Sequence, residues 1–293
     1  MRSPQRFTEN KATARKLQRE TIESYLSEKA GQLRYFGLPS SSLGDAAEWQ
    51  DLFKHFVAAE RGEAGKEWEL QHDLELTAFR TSLFDRVTLL RGDIDSIIHK
   101  KKDSSGNKLR FPFDVVSLDY SGGLFYADPQ GAFVRLRAVE EVIQAQAKSK
   151  MKFVLLISCN LDHIDQGEVR KTLENVRTEL VRYGIVADEV VDAYLKSSAD
   201  EPRLKIYLPF FMNLQAAKHH YNCETQPVVV YEGNMGTRMM AFRFFLSYDE
   251  RTASLRPPRE RLSQILNSPV LQILNGQPQA TMLGMPKLTA PER

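Results

Sequence analysis

Apolar positions along this chain gather into short runs that each close on a small or acidic residue. LRYFGLPSSS (33–42), HFVAAE (55–60), VTLLRGD (87–93), FDVVSLDYSGG (113–123) and FVLLISCNLD (153–162) are the five clearest. Runs this short and this rich in Val, Leu, Ile and Phe read as strands buried on both faces. Between them the spacing becomes helical. Helices are predicted over Leu43–Phe53, Lys66–Leu83 (with Trp68, Leu70, Leu74, Leu76 and Phe79), Ile94–His99, Ala132–Lys148 and Val169–Tyr183. Alternation of this kind predicts an α/β fold with a doubly wound, mostly parallel sheet. Such sheets take ligands at the carboxyl ends of their strands. In this chain those ends carry Gly37, Ser40, Glu60, Asp93, Asp119 and Asn160.

The pattern changes after the fifth strand. Ala187–Lys196 and Arg203–His220 read as helices, with Pro209 expected to kink or interrupt the second. PVVVYEG (227–233) and MMAFRFFLSYD (239–249) are β-rich and joined by a short link containing Asn234 and Gly236, the mark of an antiparallel pair. Arg259–Leu274 reads as a helix, and the segment after Gly276 as a mobile tail. At the front, Leu17, Ile22, Tyr25 and Leu26 give a helix over about 10–30. Its early basic residues, Lys11, Arg15, Lys16 and Arg19, read as a solvated face rather than a phosphate-attracting patch. The expected organisation is an N-terminal helical extension (1–30), an α/β domain (31–250) with a helical insertion near 185–222, and a C-terminal helix and tail (251–293).

Composition narrows the class without changing it. The 293 residues are 42% hydrophobic and 27% charged, ordinary for a globular chain. A net charge of +2 supplies no global field for nucleic acid or membranes. No apolar run reaches the roughly 18 residues of a membrane span, and the N-terminus lacks a secretory segment. Two cysteines make no disulfide framework, so a reduced, cytoplasmic setting is expected.

Five βα units closed by an antiparallel strand pair resemble, over about residues 30–250, the class I S-adenosylmethionine-dependent methyltransferases. The resemblance implies S-adenosylmethionine as cofactor. It implies that Glu60, closing HFVAAE, accepts from the ribose hydroxyls, which suits a carboxylate facing a vicinal diol. Gly92 and Asp93, closing VTLLRGD, would contact adenine, with Ile94 packing on the base. Asp93 can equally cap the following helix. Gly37 and Ser40, in FGLPSSS, would meet the methionyl end. That loop departs from the glycine-rich family pattern, having one Gly in the turn and Gly44 after it. Asp119-Tyr120-Ser121-Gly122 stands where amino-group methyltransferases carry Asp or Asn, two prolines and an aromatic residue. By that likeness Asp119 is the catalytic acceptor for a target amine and Tyr120 the stacking ring, although both prolines are missing.

Other chemistries find little footing. His219 and His220 point about 100° apart on a helix, so with Cys223 they make no metal site. There is no CxxC, HExxH, GxSxG, GxxxxGK[ST] or GxGxxG. The basic run Lys100–Arg110 falls at the sheet end opposite the ligand crevice. Besides another nucleotide-binding α/β protein that would use the same acidic strand ends differently, two functions remain. One is a methyltransferase of an amine acceptor, with nucleic acid a candidate. The other is a non-catalytic, methyltransferase-like scaffold or partner subunit in a larger assembly.

Overall fold

The computed structural model describes residues 9–38, 43–61, 67–120, 122–125, 133–161, 200–233, 236–252, 264 and 268–281. Six helices and ten strands are laid out along them. The helices are α1 (Glu9–Leu26), α2 (Gly44–Glu48), α3 (Glu67–Arg80), α4 (Ile94–Lys100), α5 (Val134–Ala147) and α6 (Asp200–Lys218). The strands are β1 (Leu33–Gly37), β2 (Phe53–Glu60), β3 (Val87–Arg91), β4 (Val115–Asp119), β5 (Phe153–Asn160), β6 (Tyr221–Thr225), β7 (Val228–Glu232), β8 (Arg238–Tyr248), β9 (Val270–Leu274) and β10 (Gln277–Thr281).

All ten strands join one sheet in the order β10-β9-β7-β8-β5-β4-β1-β2-β3, with β6 beside β8. Strands β1 to β5 pair in parallel, and β8 runs antiparallel to β5. The chain moves outward through β1, β2 and β3, then restarts on the other side of β1 with β4. That reversal is the topological switch point, where adjacent crossovers leave in opposite directions and a crevice opens. The sheet is thus doubly wound and mostly parallel, with antiparallel pairing toward its C-terminal edge.

Strand periodicity sorts the core into two layers. On β5, Phe153, Leu155, Ile157 and Cys159 join the layer that holds α4, α5 and α6, whereas Val154 and Leu156 face the layer of α1, α2 and α3. On β4, Val116 and Leu118 belong to the first layer and Val115 to the second. The α1-facing series then turns polar toward the strand tops, as Ser117 and Asp119 on β4 and Ser158 on β5. A sheet face that loses its apolar side chains at one end makes a polar recess there.

Several boundaries differ from the sequence expectation. The helix expected to Phe53 is only α2, because β2 already begins at Phe53 and pairs with Leu33. Pro209 does not interrupt α6, which runs through it. The Asn213 amide donates to the Pro209 carbonyl at 2.9 Å, a local contact within the proline turn. Residues 221 and 222, expected at the end of the helical insertion, begin β6, which lies against the second half of β8. The C-terminal helix and tail are corrected over 270–281. Those residues form the antiparallel β9–β10 hairpin, and β9 pairs in parallel with β7. Register with an exposed sheet edge outweighed the helical spacing read over 259–274. The helices expected at 169–183 and 187–196 lie outside the described residues.

Candidate functional site

A cleft opens over the carboxyl ends of β4 and β5, beneath α1. Lys11, Ala14, Arg15, Gln18, Asp45, Ser117, Asp119, Ser158 and Tyr231 line it. Strand ends form its floor and α1 its roof. Helix α1 packs over β7, β5, β8 and β9, and it presents cations at four-residue intervals. The Lys11 ammonium lies 3.9 Å from the Asp119 carboxylate. The Arg15 guanidinium pairs with Asp45 at 2.6 Å, both side chains buried. Arg19 forms a two-pronged pair with Asp51 at 2.9 and 2.6 Å and donates to the Glu48 carbonyl. Three of the four residues read as a solvated basic face therefore turn toward carboxylates, and Lys16 alone is exposed.

Two glycines that flank the first loop meet this arrangement closely. Gly37 ends β1 beside Ser117, and an added methyl would overlap the Ser117 carbonyl oxygen and come within 2.7 Å of the Tyr35 hydroxyl. A methyl at Gly44 would meet the Arg15 guanidinium at 2.8 Å. The two glycines thus admit close approach of the chain's own groups. Among the described residues, the space left in the cleft is about one water molecule in size. Ser40 lies outside the described residues.

Glu60 ends β2 and is partly buried; Gly92 N–H donates to its backbone carbonyl. Burial pushes the Glu60 carboxyl up to about 7, opposed by a backbone hydrogen bond at Arg61 and aided by the nearby charge of Asp119. Gly92 has φ +132°, a conformation that demands glycine. Asp93 caps α4, its Oδ1 accepting from Ser96 N–H at 3.0 Å. Ile94 is 3% exposed and packed in the core layer of α4. Burial raises the Asp119 carboxyl, while Lys11 lowers it.

Tyr120 points away from the cleft, 3% exposed in the α4–α5 layer. Its hydroxyl donates to Asp95 Oδ1 at 2.8 Å, and the Arg135 guanidinium lies 4.6 Å from its ring centroid. Arg135 also donates to the Gly123 carbonyl and faces Asp95 at 4.0 Å. This cluster pins the segment that follows β4. Burial lifts the Asp95 carboxyl to about 6, although the Tyr120 hydrogen bond opposes it. A ring so enclosed stacks on an acceptor only after leaving both partners.

Sequence reasoning missed Lys11, Arg15, Asp45, Ser117, Ser158 and Tyr231 as lining residues, and the Asp95–Arg135 pair. Two signals were present. Lys11, Arg15 and Arg19 share one helix face by their spacing, and Ser117, Asp119 and Ser158 break an otherwise apolar alternation. Asn160 is buried at the end of β5; Asp162 and His163 lie outside the described residues. Among the described residues no group of three or more His, Cys, Asp or Glu is placed to hold a metal ion, and no helix is long and apolar enough to cross a membrane.

No family model matches the chain, and no curated protein matches it in sequence. Solved structures do. The chain is similar to an rRNA methylase from Streptococcus thermophilus, with 12% identity over 78% of this chain and 94% of that one, at a TM-score of 0.41. It is similar to an O-methyltransferase from Bacillus cereus in complex with S-adenosylhomocysteine, with 13% identity over 78% and 80% of the two chains and a TM-score of 0.43. An N-methyltransferase from Bradyrhizobium japonicum gives 11% identity over 82% and 99%, with a TM-score of 0.42. The sheet itself is mixed, with β1 to β5 parallel and β8 antiparallel beside β5, as the alternating order of elements predicts.

Proposed function

We propose that this chain is an S-adenosylmethionine-dependent methyltransferase of an amine acceptor. The observation that carries the reading is the convergence of carboxylates at the switch point. Glu60 ends β2, Asp93 follows β3 and Asp119 ends β4, and the charge of Asp119 acts on the Glu60 carboxyl. A vicinal diol suits Glu60, an exocyclic amine suits Asp93, and Gly92 lets the backbone approach closely. Asp93 keeps Oδ2 beyond the oxygen that caps α4. The carboxylates of Asp45 and Asp119, which line the cleft, suit the ammonium of the methionyl end, with Gly37 and Ser40 in the same first loop. Bound there, the cofactor would supply an activated methyl group.

The chain's own residues would bind and orient. Asp119 would accept from the incoming amine and hold its lone pair in line, so that positioning does most of the work. Tyr120, on the face away from the cleft, would contribute by fixing that segment through Asp95. Ile94 would support the adenine side from the core. The acceptor class, nucleic acid among the candidates, follows from the partial match of Asp119-Tyr120 to amino-group enzymes. A protein partner and a cytoplasmic setting complete the reading.

One observation favours a second reading, a non-catalytic scaffold or partner subunit. The side chain of Arg15 fills the space beside Gly44 that a ligand head group would need. Calorimetric titration with S-adenosylmethionine and S-adenosylhomocysteine separates the two. Micromolar binding that Asp93→Ala weakens at least tenfold, with methyl transfer abolished by Asp119→Ala, is the expected result. Absence of heat up to millimolar ligand would leave the scaffold.

A further inference from the structure

The N-terminal and C-terminal halves of α1 are held in different ways. Ile22 and Leu26 are buried in the core layer of α2 and α3, and Tyr25 stacks on Phe245 with ring centroids 4.2 Å apart. Arg243 of β8, itself buried, donates to Thr21 Oγ1 at 2.9 Å and to the Leu17 carbonyl at 3.2 Å. The first half buries one small apolar side chain, Ala14, with Leu17 partly covered. It relies instead on ion pairs over the cleft, Lys11 with Asp119 and Arg15 with Asp45. A latch at its tip adds two hydrogen bonds. Thr13 Oγ1 donates to the Gly276 carbonyl at 2.8 Å, and Gly276 N–H donates to Asn10 Oδ1 at 2.9 Å. Gly276 sits in the turn between β9 and β10 with φ +73°, and a methyl there would strike the Glu9 side chain at 2.6 Å.

We infer that residues 9–18 of α1 form a strap that closes the switch-point cleft from within and is released at the β9–β10 turn. The inference rests on reading that cleft as a ligand site. Lys11 and Arg15 occupy a polar recess that retains room for about one water, so any ligand entering it displaces them. A half-helix with little apolar burial opens at lower free-energy cost than the sheet beneath it. Its polar contacts re-form with water when it lifts, whereas Ile22 and Leu26 stay packed as a hinge. The C-terminal hairpin thereby controls a site at the other end of the sequence. If only a fraction of molecules is open, the observed affinity of a cleft ligand falls by that fraction.

Access can be read without any ligand. Ser158 lines the cleft floor and is 3% exposed, so Ser158→Cys places a thiol there with little change of volume. Its alkylation by iodoacetamide in the full chain is compared with and without the latch pair Asn10→Ala/Thr13→Val. Slow labelling that accelerates at least tenfold in the latch variant, with Cys159 and Cys223 still unlabelled, is expected. Equal rates in both proteins, or labelling of all three thiols in step, would overturn the strap. With S-adenosylhomocysteine as probe, the latch variant should bind several-fold more tightly than the parent. Binding by neither protein would sink the methyltransferase reading, and the labelling rates alone would then decide the strap.

Discussion

Arg15 and Asp45 meet in a buried pair at 2.6 Å, and such pairs matter most when one partner is removed. Arg15→Leu strands the Asp45 carboxylate away from water and should cost about 3 kcal/mol in urea unfolding. Arg15→Leu/Asp45→Leu should recover much of that loss, because apolar replacement of both partners removes the charge to be solvated. Gly37→Ala should cost at least as much, since its methyl collides with a backbone carbonyl that cannot turn aside. Glu60 makes a pH signature. Its folded carboxyl titrates near 7, above the ordinary 4.5, so folding favours the protonated form. That contribution is complete below about pH 4.5 and is lost as pH rises through 7. The stability of Glu60→Gln relative to the parent should therefore improve between pH 5 and pH 8, as read from urea midpoints. Ligand affinity carried by the ionised Glu60 should rise over the same interval in the parent alone.

Elements show where local pattern prevailed and where pairing did. β5 runs from Phe153 to Asn160 as its eight apolar or small residues predict, because every position is buried and only a central strand offers that. α4 is fixed at its start by Asp93 as cap and at its end by Lys101 at φ +54°. α6 keeps going through Pro209, since its largely buried surface outweighs one missing N–H. Replacing that proline returns a donor to the Lys205 carbonyl. Pro209→Ala should raise stability by about 1 kcal/mol, less than the roughly 3 kcal/mol of an uncompensated helix proline, and differential scanning calorimetry would record it. β9 and β10 follow from the opposite circumstance. Val270–Leu274 is too short to fix its own conformation, and the edge of β7 supplies a partner ladder.

At the scale of the molecule, two polypeptide ends far apart in sequence meet over one cleft. α1 supplies its roof, the β9–β10 turn anchors the roof, and β4 and β5 supply the floor. Both cysteines are buried, and burial pushes the Cys159 thiol up to about 12. Neither should react with a thiol reagent in the native protein at neutral pH, and both should react after denaturation in guanidinium. Reaction of either before unfolding would reveal a native opening larger than the strap.

The acidic and glycine-bearing strand ends were legible in the sequence because each is a local event. An apolar run must stop, and Glu60, Asp93 and Asp119 stand where it stops. The alternating order of elements likewise determined a doubly wound sheet and hence the location of its crevice. What lies across that crevice depended on tertiary structure. The cations of α1 look like any exposed basic stripe until Asp119, Asp45 and Asp51 are brought beneath them by β4 and the β1–β2 connection. Tyr120 reads as an exposed aromatic beside Asp119 until the strand pleat turns it to the opposite face, onto Asp95 and under Arg135. Sequence spacing encodes which residues share a face, but which face meets another is decided only when distant segments pack and bury their charges together.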